Sequence, residues 1–176
     1  MAWLGRGKDQ RDAARRWHRA IAAKAREQRP YAQGWVPDTQ AGRVQMMAMV
    51  TALTIDRLEG AGNAGQGLAT AVTEEVFSGF DHALREEGVG DSSIARKVRK
   101  LGEAFLGLSR ATVQALRAEE PETELVIVLQ RNGVTSANHS QALAVWLLGA
   151  EKQLANASER EVLAGAYLWS DAGVQS

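Results

Sequence analysis

Apolar side chains recur at every third and fourth position over long stretches of this chain, and that spacing confines it to a helical fold. Leu68, Val72, Val76, Phe80 and Leu84 make one stripe, and Ile94, Val98, Leu101, Phe105 and Leu108 make another. Gly88 is the natural stop of the first, and Asp91 can cap the second. Leu125-Val126-Ile127-Val128-Leu129 has the composition of a strand, but no second segment offers it a ladder partner, so it reads as a buried helix ending at Gly133. With 176 residues, 45% of them hydrophobic, one core can be buried. The expected architecture is all-α, a single helical domain of about six or seven helices.

The expected organisation is a basic lead-in over residues 1–13, a helical domain over 14–170 and a tail over 171–176. In the first helix Ala14, Trp17, Ile21 and Ala25 share one side, and Arg11, Arg15, Arg19 and Arg26 the other, with Pro30 closing the helix. An extended connector from Gly34 leads to an N-cap at Asp38 or Thr39. The helix that follows, Arg43 to Leu58, carries Met46, Met47, Met49, Val50, Leu53 and Ile55 nearly all round and should be the central, buried one. Its methionines read first as core filler and second as an adaptable surface for apolar partners. Gly60, Gly62 and Gly65 have the spacing of a dinucleotide fingerprint, but no strand precedes them, so the stretch reads as an interhelical loop. A further helix from about Asn138 to Leu154 should bury Leu143, Trp146, Leu147 and Ala150. Ser158 and Glu161 have the letters of a capping box.

Chemistry-bearing constellations are scarce. The absence of cysteine excludes thiol nucleophiles, disulfides and thiolate metal sites. Of His18, His82 and His139, only His82 has nearby carboxylates (Glu74, Glu75, Asp81, Glu86), and Gly79 stands where a di-iron helix needs glutamate. The expectation is a non-enzyme with no cofactor and no metal. The longest strongly apolar uncharged run, Val44 to Ile55, falls short of the roughly 20 residues of a membrane span. Formal net charge is zero, which argues against DNA as a partner. Charge is nonetheless uneven: residues 1–30 hold nine basic and three acidic side chains, a net +6. With no Ser or Thr before Thr39, this start reads as mature protein rather than a transit peptide. Residues 11–29, and the run Arg96, Lys97, Arg99, Lys100, form two basic patches. Each suits a solvated helix face, and together they support an alternative reading as a helical RNA- or ribosome-binding module.

Two ordered strings make the chain recognisable. Val36-Pro37-Asp38-Thr39-x-x-Gly42-Arg43, and Phe80-Asp81-x-x-Leu84-Arg85-Glu86-x-Gly88-Val89-Gly90-Asp91 with Arg96-Lys97-x-x-Lys100 and Glu103-Ala104-Phe105-x-Gly107, resemble the ubiquinol-cytochrome c chaperone family. The resemblance implies an all-helical assembly factor for the cytochrome bc1 complex that binds newly made cytochrome b. It also implies possible company from a second assembly protein, the ribosome and an anionic membrane surface, at the cytoplasmic face of the inner membrane of a bacterium. The family-motif positions, taken as candidates for partner binding, are Val36, Pro37, Asp38, Thr39, Gly42, Arg43, Phe80, Asp81, Arg85, Gly88, Val89, Gly90, Asp91, Arg96, Lys97, Lys100, Phe105 and Gly107. From the residues themselves, Pro37 fixes the chain before the cap, Gly42 permits close approach, and Arg43 can donate a charge-assisted bond. Asp81 and Arg85 are spaced to pair on one helix face.

Overall fold

The computed structural model describes residues 2–86 and 91–169, with side chains described for 7–82 and 96–169. Its elements are α1 (Ala2–Ala25), α2 (Gln28–Ala32), α3 (Gln40–Glu59), α4 (Gly62–Glu86), α5 (Asp91–Leu116), α6 (Pro121–Arg131), α7 (Ala137–Ala155) and α8 (Glu159–Ala164). No strand occurs among the described residues. The all-α expectation is met, with seven helices longer than the single turn of α2.

α3 is the axis of the molecule, touching α1, α4, α5, α7 and α8. Met46, Ala48, Met49, Val50, Ala52, Leu53 and Leu58 are all buried, as an element apolar on nearly every side requires. Thr54 also lies in the core, where its hydroxyl donates to the Val50 carbonyl at 3.0 Å and is satisfied by its own helix. α1 lays its Ala14, Trp17, Ile21 and Ala25 stripe onto this core. The buried Trp17 indole N–H donates to the Val162 carbonyl at 2.8 Å, tying α1 to α8.

Two aromatic clusters fasten the periphery. Phe77 and Phe80 of α4 and Phe105 of α5 form an edge-to-face triangle with centroids 5.4–5.9 Å apart. Trp17, Tyr167 and Trp169 pack the C-terminal segment back on α1, with centroids 5.5–6.2 Å apart.

Two sequence expectations are corrected. The first helix ends at Ala25, and Pro30 lies inside α2, where a first-turn residue has no intrahelical acceptor for an N–H and proline costs little. The Gly62 to Gly65 stretch is the first turn of α4 rather than loop; only Gly60 and Ala61 separate the helices. Gly65 is buried so tightly that a Cβ there would collide with the Leu58 carbonyl oxygen, so this glycine serves helix packing. Leu125–Leu129 is helical, as expected, with Pro121 at the start of α6 and Glu122 and Glu124 in its first turn, where the helix dipole favours them. Ser158 and Glu161 form the expected capping box.

Candidate functional site

The first family string builds a corner. Thr39 is the N-cap of α3, its hydroxyl accepting from the Gly42 N–H at 3.1 Å. Val36 is fully buried and anchors the connector, whose Trp35 and Val36 amides donate to the Pro30 carbonyl at 2.9 and 3.2 Å. Gly42 lies against the turn so closely that a Cβ would run into the Pro37 carbonyl oxygen. Val36, Pro37, Thr39 and Gly42 therefore shape backbone. Asp38 and Arg43 remain on the surface, where the Arg43 guanidinium donates to the Asp38 carboxylate at 2.8 Å. That bond holds the Asp38 carboxyl below the usual carboxylate range and lifts Arg43 in turn.

Beside this corner a cleft of about 330 Å3 opens between four helices. α1 supplies His18 and Ala25, and Arg26 follows directly after it; α3 supplies Gln40, Arg43, Val44 and Met47; α4 supplies Val76, Gly79 and Phe80; and α5 supplies Leu101. Arg43 of the first string and Phe80 of the second thus meet across one space, though 37 residues separate them in sequence. The floor is aliphatic and aromatic, with half-buried Met47 and Phe80 packed on the core. Opposite Gly79 stands the His18 imidazole, so near that a Cβ on Gly79 would come within 3.2 Å of it. Burial lowers the His18 pKa; Glu75 opposes this, and Arg26 and Arg19 reinforce it. Burial thus favours the neutral form of the imidazole that faces the cleft.

At the mouth Arg26 and Arg43 also line a smaller cleft of about 160 Å3 with Gln28, Tyr31 and Asp38. The Tyr31 hydroxyl donates to the Ala25 carbonyl at 2.7 Å. Its pKa is raised, mostly by burial, with both arginines pulling the other way. The arrangement offers an apolar trough with a cationic lip. It presents no nucleophile beside a base, and no group of three or more His, Cys, Asp or Glu able to hold a metal occurs among the described residues.

The other family-motif positions lie elsewhere. Arg96, Lys97 and Lys100 are exposed on α5, together with Arg99, whose only near carboxylate among the described contacts is Glu103 at 4.0 Å. Phe105 is buried in the phenylalanine triangle, and Gly107 is exposed with open space where a Cβ would sit. Asp81 lies on α4 next to Phe80. The side chains of Arg85, Val89 and Asp91, and with them the Asp81–Arg85 pairing and the Gly88-Val89-Gly90 stop, fall outside the described residues. Sequence reasoning assigned His18 and Tyr31 to no site and read Arg26 only as part of the basic patch over residues 11–29. His18 and Ala25 are seven positions apart, on one face of α1, and that spacing was the available signal; Arg26 lies one residue beyond the helix.

The described residues thus define an all-helical scaffold with an apolar trough at its surface and a charged lip. The sequence model of the ubiquinol-cytochrome C chaperones matches residues 33–169, and the chain belongs to that family. Among solved structures it is similar to the crystal structure of the Cbp3 homolog from Brucella abortus, with 31% identity over 97% of this chain and 95% of that one and a TM-score of 0.82. No curated protein matches the chain. None of its helices, among the described residues, is long and apolar enough to cross a membrane.

Proposed function

We propose that this protein is an assembly chaperone of the cytochrome bc1 complex and that the cleft between α1, α3, α4 and α5 receives an apolar segment of newly synthesised cytochrome b. One observation carries the reading: the two strings that mark the family, far apart in sequence, supply Arg43 and Phe80 to the same apolar trough. Family membership supports the bc1 role. Half-buried Met47 at the floor supplies a flexible, polarisable contact suited to varied apolar surfaces. In this reading the protein works at the cytoplasmic face of a bacterial inner membrane. The exposed Arg96, Lys97 and Lys100 and the basic back of α1 then face anionic lipid or the ribosome, from which the client emerges.

The deciding experiment is the reduced-minus-oxidised spectrum of membranes from the native host lacking this gene, read against a second respiratory complex. Selective loss of b-type haem and bc1 subunits, restored by the wild-type gene, is the expected result. Met47→Glu, which places a charge on the cleft floor, should fail to restore them while the purified variant keeps its helical circular dichroism. Normal bc1 levels in the deletion strain would reject the role, and full rescue by Met47→Glu would reject the cleft.

A further inference from the structure

The trough and the smaller cleft share a wall, and the shared residues are the two arginines, Arg26 and Arg43. One end of the apolar floor therefore runs directly into a polar mouth. Among the described residues, one lining carboxylate, Asp38, stands against these two guanidinium groups, a surplus of one positive charge at the mouth. Asp38 is committed to Arg43 at 2.8 Å. Arg26 has no carboxylate partner among the described residues. Its sequence neighbour Glu27 is held instead by the buried Lys24 ammonium at 2.8 Å and by the Trp146 indole N–H at 3.0 Å. Both arginines bear on the half-buried Tyr31 hydroxyl, and Arg26 on His18 as well, so their field extends over the trough.

We propose that the trough selects an apolar helical segment carrying a carboxylate at the end that lies in the mouth, with Arg26 taking that carboxylate and Asp38 acting as a built-in competitor for the neighbouring Arg43. The inference rests on the reading of the trough as the client site and adds what discriminates among apolar segments. A wholly neutral segment covering the mouth takes water from a guanidinium and returns nothing, whereas a carboxylate replaces the lost hydration with a charge-assisted bond. Burial on the floor supplies affinity, and the charge pair supplies choice. The Gln28 side chain at the same mouth offers a second N–H donor. The Tyr31 hydroxyl, already donating to Ala25, can only accept.

The test uses the full-length protein and two fluorescent Leu/Ala host helices, acetylated and amidated, identical except for a terminal Glu in one and Gln in the other. At low salt the Glu peptide should bind about 3- to 10-fold tighter, as a partly exposed charge pair allows. Arg26→Gln should erase that gap without weakening the Gln peptide, and Asp38→Asn should widen it. Both side chains are exposed, so both variants should keep the wild-type circular dichroism. Equal affinities for the two peptides, both weakened by Met47→Glu, would overturn the charge selection and leave the client trough standing. A gap that survives Arg26→Gln would overturn the assignment to Arg26. Binding of neither peptide would overturn the trough and this inference with it.

Discussion

At the scale of single residues, the site owes its shape to atoms that are missing as much as to those present. Gly42 sits in the first turn of α3 with the Pro37 carbonyl where its Cβ would be and the Val36 side chain 3.1 Å away. Neither neighbour can yield easily, because Val36 is fully buried and Pro37 has a fixed φ. Gly42→Ala should therefore cost about 3 kcal/mol, the upper end of the range for overpacked sites, seen as a lower urea midpoint with an unchanged slope. An unchanged midpoint would mean that the corner relaxes around a methyl group and that packing does not explain this glycine. Asp38 and Arg43, a few residues away, are the opposite case. Both are exposed, their pair contributes little to stability, and the reason to look for their effect is in what the mouth binds.

At the scale of elements, the seam between α1 and α4 carries a titratable group. His18 of α1 faces Gly79 of α4, and around it lie Glu75 of α4, Arg19 of α1 and Arg26 just after α1. Burial and the two arginines depress its pKa below 6.5, against the opposing pull of Glu75. The unfolded chain then binds more protons than the folded one as pH falls through 6.5, so stability rises with pH across that window. Full stability is present above 6.5 and is lost as pH drops from there toward the lowered folded value. Urea unfolding at about pH 7.5 and about pH 5.5 should show this loss, and His18→Gln should show less of it. An equal loss in the variant would assign the acid sensitivity to other groups. The helices that meet at this seam were largely legible in sequence, because the apolar period of Leu68, Val72 and Val76 and the Trp17–Ile21 stripe describes surfaces that must be covered. What misled was punctuation. Pro30 looks like a terminator but is equally at home in a first turn, and the glycines from Gly62 to Gly65 look like a loop when one of them is there to let α4 pack on the end of α3. The trough was not legible, since it exists only once α1 and α4 are side by side and no local pattern records which polar residue of an amphipathic helix will rim a cleft.

At the scale of the whole molecule, a net charge of zero conceals a polar distribution of charge. Residues 1–30 hold +6 and the remainder an equal negative charge. Not all of the positive charge is available. Lys24 is buried against Glu27 and Trp146, and Arg16 donates twice to the Ala164 carbonyl, at 2.9 and 2.7 Å. Arg11, Arg15, Arg19, Arg26 and Arg29 remain exposed along the first two helices. α1, with 24 residues, is about 36 Å long, several times the roughly 10 Å over which charge is felt at 0.1 M salt. Neutrality of the chain therefore does not cancel the local field, and a surface lying against α1 meets a cationic face. Co-sedimentation with anionic vesicles should accordingly fall steeply between about 0.05 and about 0.5 M salt, whereas capture of an apolar peptide by the trough should change little, because hydrophobic burial is not screened. Arg96→Glu with Lys100→Glu should lower the low-salt vesicle signal and leave peptide capture intact, separating the two surfaces of one small protein. Vesicle binding that ignores salt would instead assign membrane contact to apolar side chains. Peptide capture that collapses with salt would assign the cleft's affinity to its lip rather than to its floor.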